Sequence, residues 1–514
     1  MNGSETGLGH PSPFAMGFFA VFVVVSLGIT FAAARRTRST HDYFAAGGRI
    51  TAWQNALALI GDFVAASGFL GGAGYVSLFG VDGVAFSIYS VIGFSLLMFL
   101  LAEPLRNLGK YTFTDVIAHR TGSSGIRVVS AATAVSVVLM FLLMQMIGSA
   151  SLLHLLFGMQ YEVSVLVIGA IMLVYVLLGG MIAATWIQIV KAVLMLAAVA
   201  LMMGLGLYHF QGDPLAAFRA AAAMNGDAVL GPRQMMGEPV QALSITLSMF
   251  GLASLPHVLM RFYTVRDVRV ARRSMLITVI ILGCFQCCAL LLGMFAMVLV
   301  GGDAIRAVDR GGNMAIPLLA ERLGGEFFLA FVAAIAFATI LAVVSGLVVA
   351  GSAALSHDVW SSAVRRGKAS PREQMVVARL ATIVLCAAAV VLGILFKGQN
   401  IGWLTTLGSG LAASAIFPTL ILAIYWPKLT AAGAAAGMIT GLTANIVLIY
   451  LSPLVQQDVL RHAEAVISLK NPAVICVPLS FLVTYLVSIA TFGKETTAWY
   501  SEVQRQMVIG RGPA

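Results

Sequence analysis

The chain has 514 residues, of which 60% are apolar and only 10% charged, with a mean hydropathy of +0.96 and a formal net charge of +10. A soluble globular domain carries roughly 25% charged residues, so this composition excludes a water-soluble enzyme and points to a protein whose solvent is lipid. The positive charge then reads as topology and attraction to anionic lipid, not as a nucleic-acid surface.

Crossing roughly 30 Å of hydrocarbon takes about 20 apolar residues as helix. Thirteen runs reach that scale, near 13–34, 53–79, 84–103, 128–156, 162–182, 185–208, 238–260, 275–300, 326–356, 376–396, 400–425, 430–452 and 471–492. The longest gaps, 209–237 and 301–325, are hydrophilic loops with room for a short helix each. The expectation is an all-α integral membrane protein of about 13 transmembrane helices. Residues 1–514 form one transmembrane domain with spans at 13–34 and within 53–492, and a short cytoplasmic tail at 493–514.

The first run ends in "ARRTR", whereas a cleaved signal would place its basic residues before the apolar stretch, so the run reads as a retained helix. With the N-terminus outside and thirteen spans, 23 of the 31 Lys and Arg residues fall inside and 8 outside. That asymmetry is the positive-inside pattern, and one span more or fewer would spoil it.

The second run contains "GDFVAASGFLGGAG", residues 61–74. An intramembrane carboxylate, Asp62, precedes Gly68, Gly71 and Gly72. Charges in hydrocarbon face a cavity or a partner, and irregular backbone is tolerated only beside such a cavity. Glycines alone would serve close helix packing; together with a carboxylate they mark a site. Lys191 and the titratable His154 also stand out within the early runs.

The seventh run, "GLASLPHVLMRFYTVRD", is the second irregular one: Gly251 and Pro256 weaken its winding, His257 follows, and Arg261 falls where the helix should meet the cytoplasm. His257 reads as a structural histidine bonded to carbonyls freed by the proline, and Arg261 as a cytoplasmic gate or anchor. Runs 2 and 7 lie five apart, each opening a block of five, which is the arrangement of a five-plus-five inverted repeat with broken first helices. The five cysteines fall within the runs, "CFQCC" in the eighth included; they read as buried thiols, without disulfides or a metal site.

At this point the residues resemble a family. "GDFVAASGFLGGAG", "LAEPLRNLGKYTFTDVIAHR", "LLGGMIAATWIQIVKAVLM", "LPHVLMRFYTVRDVRVARRS", "AFATILAVVSGLVVAGSAALSHDVW" and "ASAIFPTLILAIYWPKLT" are similar to stretches of the sodium:solute symporters, most of all the bacterial cation/acetate symporters, from about Asp42 to Phe492. The resemblance implies the LeuT-type fold and uptake of a short monocarboxylate with a cation, Na+ or H+, across a bacterial inner membrane. It implies no other cofactor and no obligate protein partner.

The same resemblance implies a cation site with backbone carbonyls from Gly61, Val64 and Thr339 and hydroxyls at positions 342 and 343. Here those are Ala342 and Val343, without side-chain oxygen, although Ser345 lies within a turn. In the sixth run the family's aspartate and glutamine positions carry Gln188 and Lys191. Asp62 is then expected to face Lys191 as a coupling pair; the alternative is that Asp62 only caps the backbone after it. For the substrate carboxylate, amides near Gly68 to Gly72 are candidate donors, with Ser67 and Phe69 beside them. Ser87 and Tyr89, and Thr405, Thr406 and Ser409, supply candidate hydroxyls. No polar catalytic constellation for an enzyme, and no repeated filter of a channel, stands out.

Overall fold

The computed structural model describes residues 13–34, 40–178, 180–233 and 236–509. Every apolar run falls on helix, and the described residues hold no strand beyond one isolated bridge between Ile50 and Val265. Nine described helices are long and apolar enough to cross a membrane, or up to eleven when each bent pair is one span. Runs 13–34 and 162–182 are also helical, with shorter apolar stretches at Gly17–Ala32 and Tyr161–Val174.

In chain order, α1 (Pro13–Ala34) leads to α2 (Ala52–Phe63), a stretch of wide helical turns at Val64–Gly72, and α3 (Ala73–Phe79). Then come α4 (Val84–Leu96), α5 (Phe113–Thr121), α6 (Ile126–Phe157), α7 (Tyr161–Leu178) and α8 (Met181–His209). The 209–237 loop holds α9 (Pro214–Asn225). The second block comprises α10 (Pro239–Leu252), α11 (Pro256–Leu259), α12 (Val268–Leu299), α13 (Ala315–Ala353) and α14 (Pro371–Leu395). Four more follow: α15 (Ile401–Ala415), α16 (Phe417–Tyr425), α17 (Ala431–Leu451) and α18 (Ala473–Ala490), with a terminal α19 (Lys494–Ile509).

Local chemistry sets several starts. Thr51 caps α2 reciprocally with Gln54, and Ser370 caps α14 with Glu373 just ahead of Pro371. Asp267 and Asn400 accept the first free amides of α12 and α15, from Val270 at 2.8 Å and Trp403 at 2.8 Å.

Burial orders the bundle. In the most apolar window of the Ala315–Val364 helix 89% of residues are buried, against 28% for α17, so α13 is the central post and α17 a lipid-facing element. Against α13 pack α1, α6, α8 and the wide turns after α2; α10 lies on α15, and α17 on α18. Without a hydrophobic drive between helices in lipid, such contacts need small residues that let backbones approach. At Gly71 an added Cβ would lie 2.8 Å from the Gly402 Cα. The 301–325 loop carries the short helix Gly302–Val308, and α13 is kinked at Gly324 and Gly325, the latter at φ 71°.

Candidate functional site

The two irregular segments depart from α-helix in different ways. Along run 2 the chain does not unwind at its glycines; the α-ladder gives way to wide turns over Val64–Gly72, and α2 bends by 51° against Ser67–Gly83. The Ser67 hydroxyl donates to the Phe63 carbonyl at 2.8 Å, satisfying a group at the start of the wider winding. Run 7 stops at Leu252 and restarts at Pro256, where a proline at the first helical position needs no amide partner. Tight turns at Met260–Tyr263 keep the chain inside.

Between these breaks lies a buried ionic network. Arg261 donates from Nε to Asp62 Oδ2 at 3.0 Å, and its Nη2 lies 2.9 Å from the same oxygen. Arg261 Nη1 donates to the Thr185 hydroxyl at 2.8 Å, and Nη2 also donates to Gln188 Oε1. Gln188 Nε2 closes the ring by donating to Asp62 Oδ1, with the Ala342 carbonyl 3.4 Å away. Both charged side chains are 1% exposed, so the pair has left water entirely. α2, α8, the turn after α11, and α13 each contribute. Two glycines allow this convergence: a Cβ on Gly61 would meet the Gln188 carbonyl at 2.7 Å, and one on Gly346 would meet Asp62 Oδ1 at 3.1 Å.

Three expectations are corrected here. Arg261 is no anchor at a surface: it lies in the tight turns at Met260–Tyr263 and is 1% exposed. Asp62 makes its ion pair with Arg261; Lys191 is near enough to interact with its charge but forms no ion pair with it. Lys191 lies one turn past Gln188 on α8, is 2% exposed, and its Nζ has no hydrogen-bond partner among the described residues. His257 does not bond freed carbonyls through Nδ1, which is likewise without a partner; its ring lies 5.5 Å from that of Phe141.

The implied cation shell is thin in side-chain oxygen. The Thr339 hydroxyl donates to the Ile335 carbonyl at 2.7 Å, Ala342 and Val343 are buried without oxygen of their own, and the Ala342 carbonyl already faces Gln188. Gly61, Val64 and Ser345 are also buried, leaving backbone carbonyls as the main donors.

A second convergence surrounds a cavity of about 20 Å³ lined by Tyr89, Ser90, Ile245, Ser248, Met249, Leu252, Thr405, Thr406 and Ser409. It has room for about one water molecule. The expected hydroxyls Tyr89, Thr405, Thr406 and Ser409 meet there; Ser67, Gly68, Phe69, Gly71, Gly72 and Ser87 do not line it. Thr405 and Thr406 donate to their own helix, to Ile401 and Trp403 carbonyls at 2.8 Å each, whereas the buried Ser409 Oγ has no partner. Ser87 lies 3.4 Å from Gln286 Oε1, whose amide reaches Ser90 Oγ at 2.5 Å. Sequence reasoning missed Thr185, Ser90, Ser248 and Gln286. Thr185 was legible as one turn before Gln188; the others face the site only through packing of α4, α10 and α12.

One further cluster has the composition of a metal site: ligand-type atoms of Asp115, His357 and Asp358 lie within 4.8 Å of one another. The Arg127 guanidinium, however, sits 2.9 Å from Asp115 Oδ1 and 3.1 Å from Asp358 Oδ1. A cation already fills that role, and the cluster ties α5 and α6 to the distal end of the central helix.

A bent run 2, an interrupted run 7 and a buried charge pair joining them, in a chain of membrane-length helices, fit a membrane carrier. The chain belongs to the sodium:solute symporter family, whose model matches residues 43–441. Among solved structures it is similar to a Na+-coupled sialic acid symporter in a substrate-bound outward-open state, at 14% identity and a TM-score of 0.71, covering 93% of this chain and 98% of that one. It is also similar to a nucleobase-cation-symport-1 family transporter in a closed conformation with bromovinylhydantoin bound. That match has 14% identity and a TM-score of 0.50, over 89% of this chain and 98% of the other. The chain is thus a multi-pass secondary symporter, and its structural neighbours carry the LeuT-type fold.

Proposed function

We propose that this symporter takes up a short monocarboxylate, acetate foremost and pyruvate or propionate as competitors, with a coupling cation by alternating access. The observation that carries the reading is the small cavity between α4, α10 and α15. Its free Ser409 hydroxyl can donate to a carboxylate oxygen, and the cavity, at one water's volume here, must widen by only a few heavy atoms to admit acetate. Thirteen spans arranged as two inverted blocks of five, with the N-terminus outside, the C-terminus cytoplasmic and the chain in a bacterial inner membrane, complete the proposal.

The family favours Na+ as the coupling ion, held by carbonyls of Gly61, Val64 and Thr339. Proton coupling is the second reading, favoured by the oxygen-free side chains at Ala342 and Val343 beside buried Asp62 and Lys191. Uptake of labelled acetate into proteoliposomes, with sodium and proton gradients imposed separately, tests both. Acetate accumulation driven by one gradient and abolished by its collapse is the expected result. Transport of amino acids or sugars without acetate or pyruvate would end the monocarboxylate reading. If protons couple, Asp62→Asn retains exchange and loses uphill uptake, while Lys191→Ala shifts the pH profile; if sodium couples, uptake requires sodium at every pH.

A further inference from the structure

Two adjoining cavities of about 370 and 610 Å³ open at one end of the bundle. They share Arg310, Lys397, Gly398, Gln399, Asp458 and Arg461 and so form one vestibule. Its face is fixed by the helices that end there: α6 reaches it with His154 and Leu155, whereas the opposite end of α6 carries Arg127 and the Asp115 cluster. In the proposed topology this is the outer face, to which the sequence assigns only 8 of 31 basic residues. Five of those 8, Arg306, Arg310, Lys397, Arg461 and Lys470, line the vestibule. A face otherwise poor in cations concentrates them in one concave place.

Their compensation is incomplete. Lys397 pairs with Glu162 at 2.9 Å and Arg306 lies 3.5 Å from Asp303, but no carboxylate pairs with Arg310, Arg461 or Lys470 among the described residues. Asp458 accepts a hydrogen bond from the Gln399 amide at 3.2 Å, and burial pushes the Asp309 carboxyl above its ordinary range, against hydrogen bonds from Asn313 and Gly311. Arg461 is held at φ 61°, a left-handed backbone uncommon for a side-chain-bearing residue and a mark of a position fixed by its surroundings. The floor leads inward. Tyr75 and Trp403 line the vestibule and pack in one apolar cluster with Tyr89 and Ile245, which line the inner cavity.

We propose that this vestibule is an outer anion-collecting site: Arg310 and Arg461, with Lys470, gather small carboxylates above the Tyr75–Trp403 floor before they enter the inner cavity. A concave wall of low dielectric focuses such a field and raises the local anion concentration. The inference rests on the monocarboxylate reading for its cargo, but the field itself is a property of the vestibule.

Two measurements separate these. In a Gln399→Cys variant lacking Cys284 and Cys287, anionic and cationic thiol reagents of equal size report the field without any substrate. The anionic reagent should react about tenfold faster at low ionic strength, the ratio approaching one in high salt and in Arg310→Gln/Arg461→Gln. A ratio of one in low salt overturns the vestibule proposal whatever the cargo. In proteoliposomes, Arg310→Gln/Arg461→Gln should raise the KM for acetate about three- to tenfold at low salt with Vmax unchanged, and Asp458→Asn should lower it. An acetate KM that ignores both variants and the ionic strength likewise overturns it. A charge-selective ratio in a protein that moves no monocarboxylate would instead sink the cargo reading and leave the anion site standing.

Discussion

Asp62 and Arg261 make each other tolerable. A lone ion at this depth costs several kcal/mol, and removing one member of a buried pair costs about 3–5 kcal/mol because the survivor stays desolvated. Thermal unfolding in detergent should therefore show large losses for Asp62→Asn and for Arg261→Gln, and for the double variant a loss well below their sum. Additive losses would mean that the pair is not the unit the distances describe. At the inner cavity, Ser409→Ala should raise the KM for the cargo by about two- to tenfold, the worth of one hydrogen bond, with Vmax largely retained. Asp62, Gln188 and Lys191 were legible as residues because polar side chains stand out in apolar runs. Their pairing was not, since which side chains meet across α2, α8 and the turn after α11 is set by helix packing that no single run reveals.

Elements carry a different set of constraints. Glycine at 71 is what lets the wide turns lie against the start of α15. Gly71→Ala would overpack a backbone contact, at a cost of about 1–3 kcal/mol, and should slow uptake more than tenfold while expression persists. Wild-type rates would show that the two segments separate during turnover. At the far end, Asp115 accepts amide hydrogens from Lys110, Tyr111 and Thr112 at 3.2, 2.9 and 3.2 Å, capping α5. Burial works against its charge, yet the His357 hydrogen bond, Arg127 and the Tyr111 amide outweigh it and hold the carboxyl well below the usual range. Its stabilisation is therefore complete above the unfolded value near ~3.9 and fades as pH falls toward the folded one. Asp115→Asn should cost about 2–3 kcal/mol at pH 7 and progressively less as melting is repeated toward pH 3. Helix positions were readable throughout, because a run of about 20 apolar residues has one solution in lipid. The wide winding at Val64–Gly72 was not: glycine announces freedom without saying whether the chain will open or merely loosen.

For the whole molecule, the topology set by loop charge and the vestibule set by folding meet in the same few residues. Loop counting treats Arg310 and Arg461 as interchangeable members of a cation-poor side; only the fold shows that they face one hollow. The pairing of Asp62 with Arg261 has a consequence at this scale too. A full charge crossing the membrane exchanges about 2.3 kcal/mol with every 100 mV of potential. A carboxylate and a guanidinium that travel together exchange none. Provided the two stay joined, the voltage across the membrane has no grip on this pair, and moving it does no work against the cell's own battery. Whatever current accompanies turnover must then be counted from Lys191 and from the ions and anions aboard.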